Sequence, residues 1–245
     1  MEYLAREEGR RLAYRRIKGR GPGVFWLSGF GSEMTGNKAR HLAAWAEAAG
    51  RAFLAFDYSG HGAPSGDFLE RTIGGWTADA IAVFDALTAG PQLLVGSSMG
   101  GWIALLLALA RPERVHGLVL LAPAPDFAED LICARATPEM HAAWARAGVS
   151  YLPSAYGEPY PVTLRLIEEA RSHLLLRAPI GIRARVHILH GMKDADIPYA
   201  RSLRLAEKLE SESVLVEFSK SGDHRLSVPG ELERLTRAVQ AMAEG

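Results

Sequence analysis

Residues 93–110 read LLVGSSMGGWIALLLALA, two adjacent serines within a cluster of glycines, between a short apolar run and a long one. The first run has the length of a strand, and the second has the length and composition of a buried helix. Gly96, Ser98 and Gly100 fit G-x-S-x-G, the turn at which a strand enters a helix so sharply that the middle residue takes a strained backbone conformation. The flanks of such a turn must be small. The same spacing drawn on Ser97 would put Val95 and Met99 there, so Ser98 is the candidate nucleophile. A serine N-cap in a glycine-rich crossover would use the same residues, so the partners of Ser98 have to decide.

Working outward, apolar strand-like runs alternate with helix-period segments. VFWLSGFGS (24–32) precedes a helix over Lys38 to Ala49, and AFLAFDYSGHG (52–62) precedes one over Ile73 to Leu87. The serine turn runs directly into its own helix, and HGLVLLAPAP (116–125) supplies a fourth strand. This alternation predicts a mostly parallel sheet with helices on both faces. Ahead of it, Tyr3 to Arg6 and Leu12 to Ile17, joined at EEGR, read as an antiparallel hairpin at the sheet edge. The rhythm breaks between about residues 126 and 178. That stretch reads as mostly helical, with Thr137 as an N-cap and a loop-like aromatic segment YLPSAYGEPYP (151–161). It is too long for a crossover, so it is expected to form a cap. RVHILHG and SVLVEFS resume the strands, with a helix over Tyr199 to Leu209 between them and a closing helix from Pro229 to Ala243.

The 245 residues, 48% of them hydrophobic, are enough for one full-sized core, so a single domain over residues 1–245 is expected. Lys plus Arg and Asp plus Glu each total 28, and this balance argues against a nucleic-acid partner. The lone Cys133 excludes an internal disulfide and reads as a small buried hydrophobe. The first residues lack an apolar signal core, and Glu2, Glu7 and Glu8 argue against an acid-poor transit peptide. A soluble cytoplasmic protein is expected. The longest apolar run, Trp102 to Ala110, falls far short of the roughly 20 residues that span a bilayer.

A serine hydroxyl needs a base to take its proton, usually His, and a carboxylate to hold that base in the right tautomer. After such a turn the chain order is Ser, acid, His. His141 and His173 fall on cap helices, and His187 and His190 fall in or at the end of a strand, where core or surface roles suit them better. His224 lies in the polar loop SKSGDHRLS after the last strand, which projects it over the carboxyl edge of the sheet. Before it, HGMKDADIP offers Asp194 at the first bend after a strand, while Asp196 is better placed to cap the following helix. Backbone N–H groups of Met99 and Phe30, with Gly31 next to it, are the candidates to hold an oxyanion. Asp57 with His61 suggests a metal pair, but no third ligand is near, so they read as a structural Asp and a surface His.

In this order GSSMGG, HGMKDADIP and GDHR resemble the α/β-hydrolase fold serine hydrolases. More narrowly, SGFGSEMTGNKA, FDYSGHG, GPQLLVGSSMGGWIALLLALARPERV, HGMKDADIPY and SGDHRLS are similar to a family of animal mitochondrial palmitoyl-protein thioesterases that also act as mycophenolic acid acyl-glucuronide esterases, and to its bacterial relatives. The likeness covers nearly the whole chain and is weakest across residues 126–178. It implies an α/β-hydrolase fold with a cap insertion, and no cofactor. It also implies Ser98 as nucleophile, Asp194 as acid and His224 as base, with a small-molecule or acylated-protein substrate. The expected reaction is ester or thioester hydrolysis through an acyl-enzyme. Trp144, Tyr151, Leu152, Tyr156 and Tyr160 of the cap are candidates for an acyl-chain wall. A serine peptidase of the same fold and a binding protein that has lost its chemistry are the rival readings.

Overall fold

The computed structural model describes residues 1–6, 10–62, 66–153 and 159–244. Residues 7–9 of the hairpin turn expected at EEGR, and Tyr156, lie outside them. The strands are β1 (Glu2–Ala5), β2 (Arg11–Ile17), β3 (Arg20–Leu27), β4 (Arg51–Phe56), β5 (Gln92–Ser97), β6 (Val115–Leu121), β7 (Val149–Leu152), β8 (Tyr160–Thr163), β9 (Arg185–Gly191) and β10 (Val214–Ser219). The helices are α1 (Asn37–Ala48), α2 (Ile73–Leu87), α3 (Met99–Ala110), α4 (Pro138–Ala147), α5 (Leu164–Ala170), α6 (Ala200–Lys208) and α7 (Pro229–Glu244).

Eight strands form one sheet in the order β1-β2-β4-β3-β5-β6-β9-β10. From β4 to β10 every neighbouring pair is parallel, whereas β1–β2 and β2–β4 are antiparallel. Side chains alternate across the sheet as the two-residue period of a strand requires. Phe25, Leu27, Leu54, Phe56 and Leu94 face a core shared with α2 and α3. Val24, Trp26, Phe53, Ala55, Leu93 and Val95 face a second core with α1 and α7. All the parallel strands therefore end on one rim, and the loops of that rim carry the polar residues singled out above.

Helix α3 is buried on nearly every side, with Trp102, Ile103, Ala104, Leu105 and Leu107 fully inaccessible, which is why its sequence shows no polar face. Gly96 and Gly100 let it start where it does. A Cβ on Gly96 would collide with the Gly100 carbonyl, and one on Gly100 with the backbone oxygens of Leu27 and Ser28.

Residues 122–184 leave the sheet between β6 and β9. They include α4, capped as expected by Thr137, whose hydroxyl accepts the Met140 N–H. The segment is less helical than the sequence suggested. β7 and β8 pair antiparallel, Val149 opposite Thr163 and Leu152 opposite Tyr160, so part of the expected aromatic loop is a strand. Pairing satisfies backbone groups that an unpaired buried loop would leave orphaned. Trp144, Val162, Leu166 and Ile167 then merge with the core that holds Trp76 and Trp102. Cys133 is only partly buried against the same core. The two ends of the segment are joined at Asp126, whose buried carboxylate accepts the Leu175 and Leu176 N–H groups at 2.7 and 2.9 Å. Burial still raises the Asp126 pKa, against the pull of those two bonds.

Gly100→Ala is expected to lower unfolding free energy by about 2–4 kcal/mol in urea titrations, because its methyl group meets backbone atoms that belong to the sheet. An unchanged midpoint would show that α3 can move aside.

Candidate active site

Ser98 sits at the end of β5 with φ 56° and ψ −120°, a conformation that costs a non-glycine residue on the order of 1–3 kcal/mol. Backbone bonds hold it there. The Ser98 N–H donates to Leu121 O at 2.9 Å, and the Ser98 carbonyl accepts the Gly101 and Ala124 N–H groups at 2.9 and 3.1 Å. It occupies the N-cap position of α3, yet its side chain caps nothing. The hydroxyl donates instead to His224 Nε2 at 3.0 Å. This disposes of the N-cap alternative.

The second nitrogen of His224, Nδ1, donates to Asp194 Oδ2 at 2.7 Å. Three side chains from three different loops thus form one hydrogen-bonded chain, in the tautomer a base needs. Asp194 is fully engaged. Its Oδ1 accepts the Asp196 and Ile197 N–H groups at 2.9 and 2.8 Å, and its Oδ2 also accepts His190 Nε2–H at 3.1 Å. Burial alone would raise the Asp194 pKa. The hydrogen bonds from His190 and His224 outweigh it and hold the carboxyl well below the usual carboxylate range. Asp196 is exposed and does not cap α6, whose N-terminus has no side-chain cap. The Asp194 loop has already turned its own amides inward at that point. Asp194, Asp196 and His224 form a group close enough to hold a metal ion, but the four donors on Asp194 leave it no lone pair to give.

The Met99 and Phe30 N–H groups have no acceptor among the described residues, whereas the Gly31 N–H donates to His61 Nε2 at 3.1 Å. His61 is buried at 4% exposure, not the surface residue expected. The rings of Phe68, Trp76 and Tyr58 close over it at 5.0, 5.1 and 5.5 Å. Desolvation pushes its pKa down to about 4, against a weaker pull from the Ser59 backbone. Neutral His61 therefore anchors the Phe30 loop from below. Asp57 anchors the same loop further on, accepting the Met34 N–H at 2.7 Å.

A cavity of about 680 Å³ opens over Ser98 and His224. Its apolar lining includes Phe30, Phe127, Leu131, Ile132, Met140, Leu152 and Tyr160, and its polar lining includes Ser32, Glu33, Asn37, Lys38, Arg135, Asp196, Arg225 and Ser227. Of the expected cap wall, Leu152 and Tyr160 line the cavity and two others do not. Trp144 is buried away from it with its N–H on Val162 O, and Tyr151 points to solvent, 59% exposed. Tyr151 sits in β7, a strand that the sequence did not announce, and Trp144 sits in the expected helix α4 but packs against β8. Burial pushes Lys38, in the cavity lining, down to about 8, with Arg225 acting in the same direction.

The family model described as Hydrolase_4, serine aminopeptidase S33, matches residues 23–165. Over 251 aligned residues the chain is 38% identical to the mitochondrial palmitoyl-protein thioesterase ABHD10 of Rattus norvegicus, covering all of this chain and 82% of the rat protein. The solved structure of mouse alpha/beta hydrolase domain-containing protein 10 superposes with a TM-score of 0.91 at 37% identity, covering 98% of this chain and 97% of the mouse chain. A putative hydrolase from Agrobacterium vitis S4 gives 0.95 at 38% identity, covering 99% of each chain. The chain belongs to the α/β-hydrolase family. Within that family it is an enzyme of ester and thioester bonds, akin to the ABHD10 thioesterases. These relatives also overturn the expected cytoplasmic location. Those from rat, mouse, cattle and human are all named as mitochondrial, which points to that compartment instead.

His61 supplies a measurable signature. Its folded pKa of about 4 lies below the ordinary value of 6.5, so its contribution is complete above pH 6.5 and is lost as pH falls towards 4. Over that interval wild type is expected to lose about 3 kcal/mol of stability through this group. Urea titrations of His61→Gln across the same range should lack that component, and parallel losses in both proteins would contradict it.

Proposed function

We propose that the chain is a serine hydrolase that removes an acyl group from a thioester or ester through a covalent intermediate on Ser98. The observation that carries this reading is the strained Ser98 with its hydroxyl on His224, and His224 in turn on Asp194. His224 Nε2 takes the hydroxyl proton as Oγ bonds to the substrate carbonyl carbon. Asp194 stays ionised and steadies the imidazolium. The carbonyl oxygen gains the negative charge and turns to the Phe30 and Met99 N–H groups, where each donor is worth about 3 kcal/mol. Collapse breaks the bond to the leaving sulfur or oxygen, which receives the proton held by His224. Water then gives a proton to the same nitrogen, attacks the acyl-enzyme and frees the acid together with Ser98.

Residues 126–178 serve as the cap of a single domain. Their apolar residues Phe127, Leu131, Ile132, Met140, Leu152 and Tyr160, with Phe30, supply lining suited to an acyl chain, and the polar lining from Ser32, Asn37, Lys38 and Arg225 suits a leaving group. A long-chain acyl thioester, as the name of the rat relative implies for that protein, fits this division, as does an acyl ester with a polar alcohol part. Candidate substrates are therefore acylated proteins and small acyl conjugates.

The test compares kcat/KM for a palmitoyl thioester, a short-chain aryl ester and a peptide amide, with Ser98→Ala as control. The thioester should be turned over fastest, the amide not measurably, and Ser98→Ala should fold normally while losing at least about 10³-fold. Faster turnover of the amide would favour a peptidase. Inertness towards all three would favour a binding protein.

A further inference from the structure

We propose that His190 and Ser202 are positioning residues for the Asp194–His224 pair, a buried hydroxyl–imidazole unit that fixes the carboxylate from behind. The inference rests on the reading of Asp194 as the acid. His190 is the penultimate residue of β9, and its side chain is wholly inaccessible. Its Nε2 faces two acceptors, Asp194 Oδ2 at 3.1 Å and Ile197 O at 3.0 Å. Neither can donate, so Nε2 carries the hydrogen. Nδ1 lies 2.6 Å from the hydroxyl of Ser202, itself fully buried in α6. A neutral ring protonated on Nε2 can only accept there, so Ser202 donates and the tautomer is locked.

An ionised carboxylate offers about four lone-pair sites, and on Asp194 all four are taken. Two backbone amides hold Oδ1, while His190 and His224 share Oδ2. Without His190 the carboxylate would lose one of the two donors on Oδ2. It could then turn about its last bond, and more of its charge would fall on His224. The first effect slows the chemical step without touching substrate binding. The second strengthens the Asp194–His224 attraction and shifts the acidic limb of the rate profile upwards. The other charged residues lining the cavity, Glu33, Lys38, Arg135, Asp196 and Arg225, are the same in wild type and variants, so the difference between profiles isolates His190.

The experiment measures kcat, KM and the pH dependence of kcat/KM for an aryl ester in wild type, His190→Phe, His190→Gln, Ser202→Ala and Asp194→Asn. His190→Phe is expected to lower kcat about 10–100-fold at unchanged KM, and to raise the acidic limb by about half a pH unit. His190→Gln can place an amide N–H where Nε2–H stands, so it should recover most of kcat and the original limb. Ser202→Ala should fall between. Asp194→Asn should collapse kcat, and if it does not, the acid assignment itself fails. If it does collapse while folded His190→Phe keeps the wild-type kcat and profile, the positioning role alone is refuted. Should the phenylalanine variant not fold, histidine ¹⁵N spectra of the unaltered protein decide. A neutral Nε2–H tautomer at His190 supports the proposal, and an Nδ1–H ring overturns it.

Discussion

The backbone of Ser98 cannot relax, and the rest of the structure is arranged around that constraint. A serine at φ 56° is held by three backbone hydrogen bonds and by two glycines whose hydrogens touch neighbouring carbonyls. The strain is on the order of a few kcal/mol. Burial of α3 offsets it, since each fully inaccessible large side chain of that helix contributes about 1.5–3 kcal/mol. What the strain secures is direction. The hydroxyl of an ordinary N-cap serine would fold back onto the helix, but here it faces His224.

The same rim shows how burial and hydrogen bonding divide the ionisable groups. Asp194 and His61 are both taken out of water, with opposite results. Donors on every side keep Asp194 charged, while aromatic rings keep His61 neutral. The charged group accepts the His224 Nδ1–H, and the neutral one accepts an amide hydrogen that would otherwise be orphaned beside Phe30. Asp126 repeats the theme away from the centre, where a buried carboxylate bound to two amides ties together the ends of the segment between β6 and β9.

The sheet and its loops were readable because their signals are local. The apolar runs at 93–97, 185–191 and 213–219 read as strands, and the residues that follow them in chain order named Ser98, Asp194 and His224. Other features depend on contacts between distant segments. His61 looked like a surface residue because FDYSGHG is rich in turn formers, yet Phe68 and Trp76 fold over it. The hairpin of β7 and β8 escaped notice since four-residue strands carry too little alternation, and Tyr151 and Trp144 were misplaced with it. The role of His190 was hidden for the same reason, because nothing in RVHILHG tells that Ser202, a helix away, will fix its tautomer. Location was misjudged from a charged N-terminus, and only the relatives corrected it.

The most direct measurement of the central claim is a crystal structure of the protein inactivated with an alkyl phosphonate ester. Phosphorus bonded to Ser98 Oγ, a phosphoryl oxygen within hydrogen-bonding distance of both the Phe30 and Met99 N–H groups, and the alkyl chain along Phe127 and Leu152 would bear the account out. Phosphorus on another residue, or a phosphoryl oxygen turned away from those two amides, would contradict it.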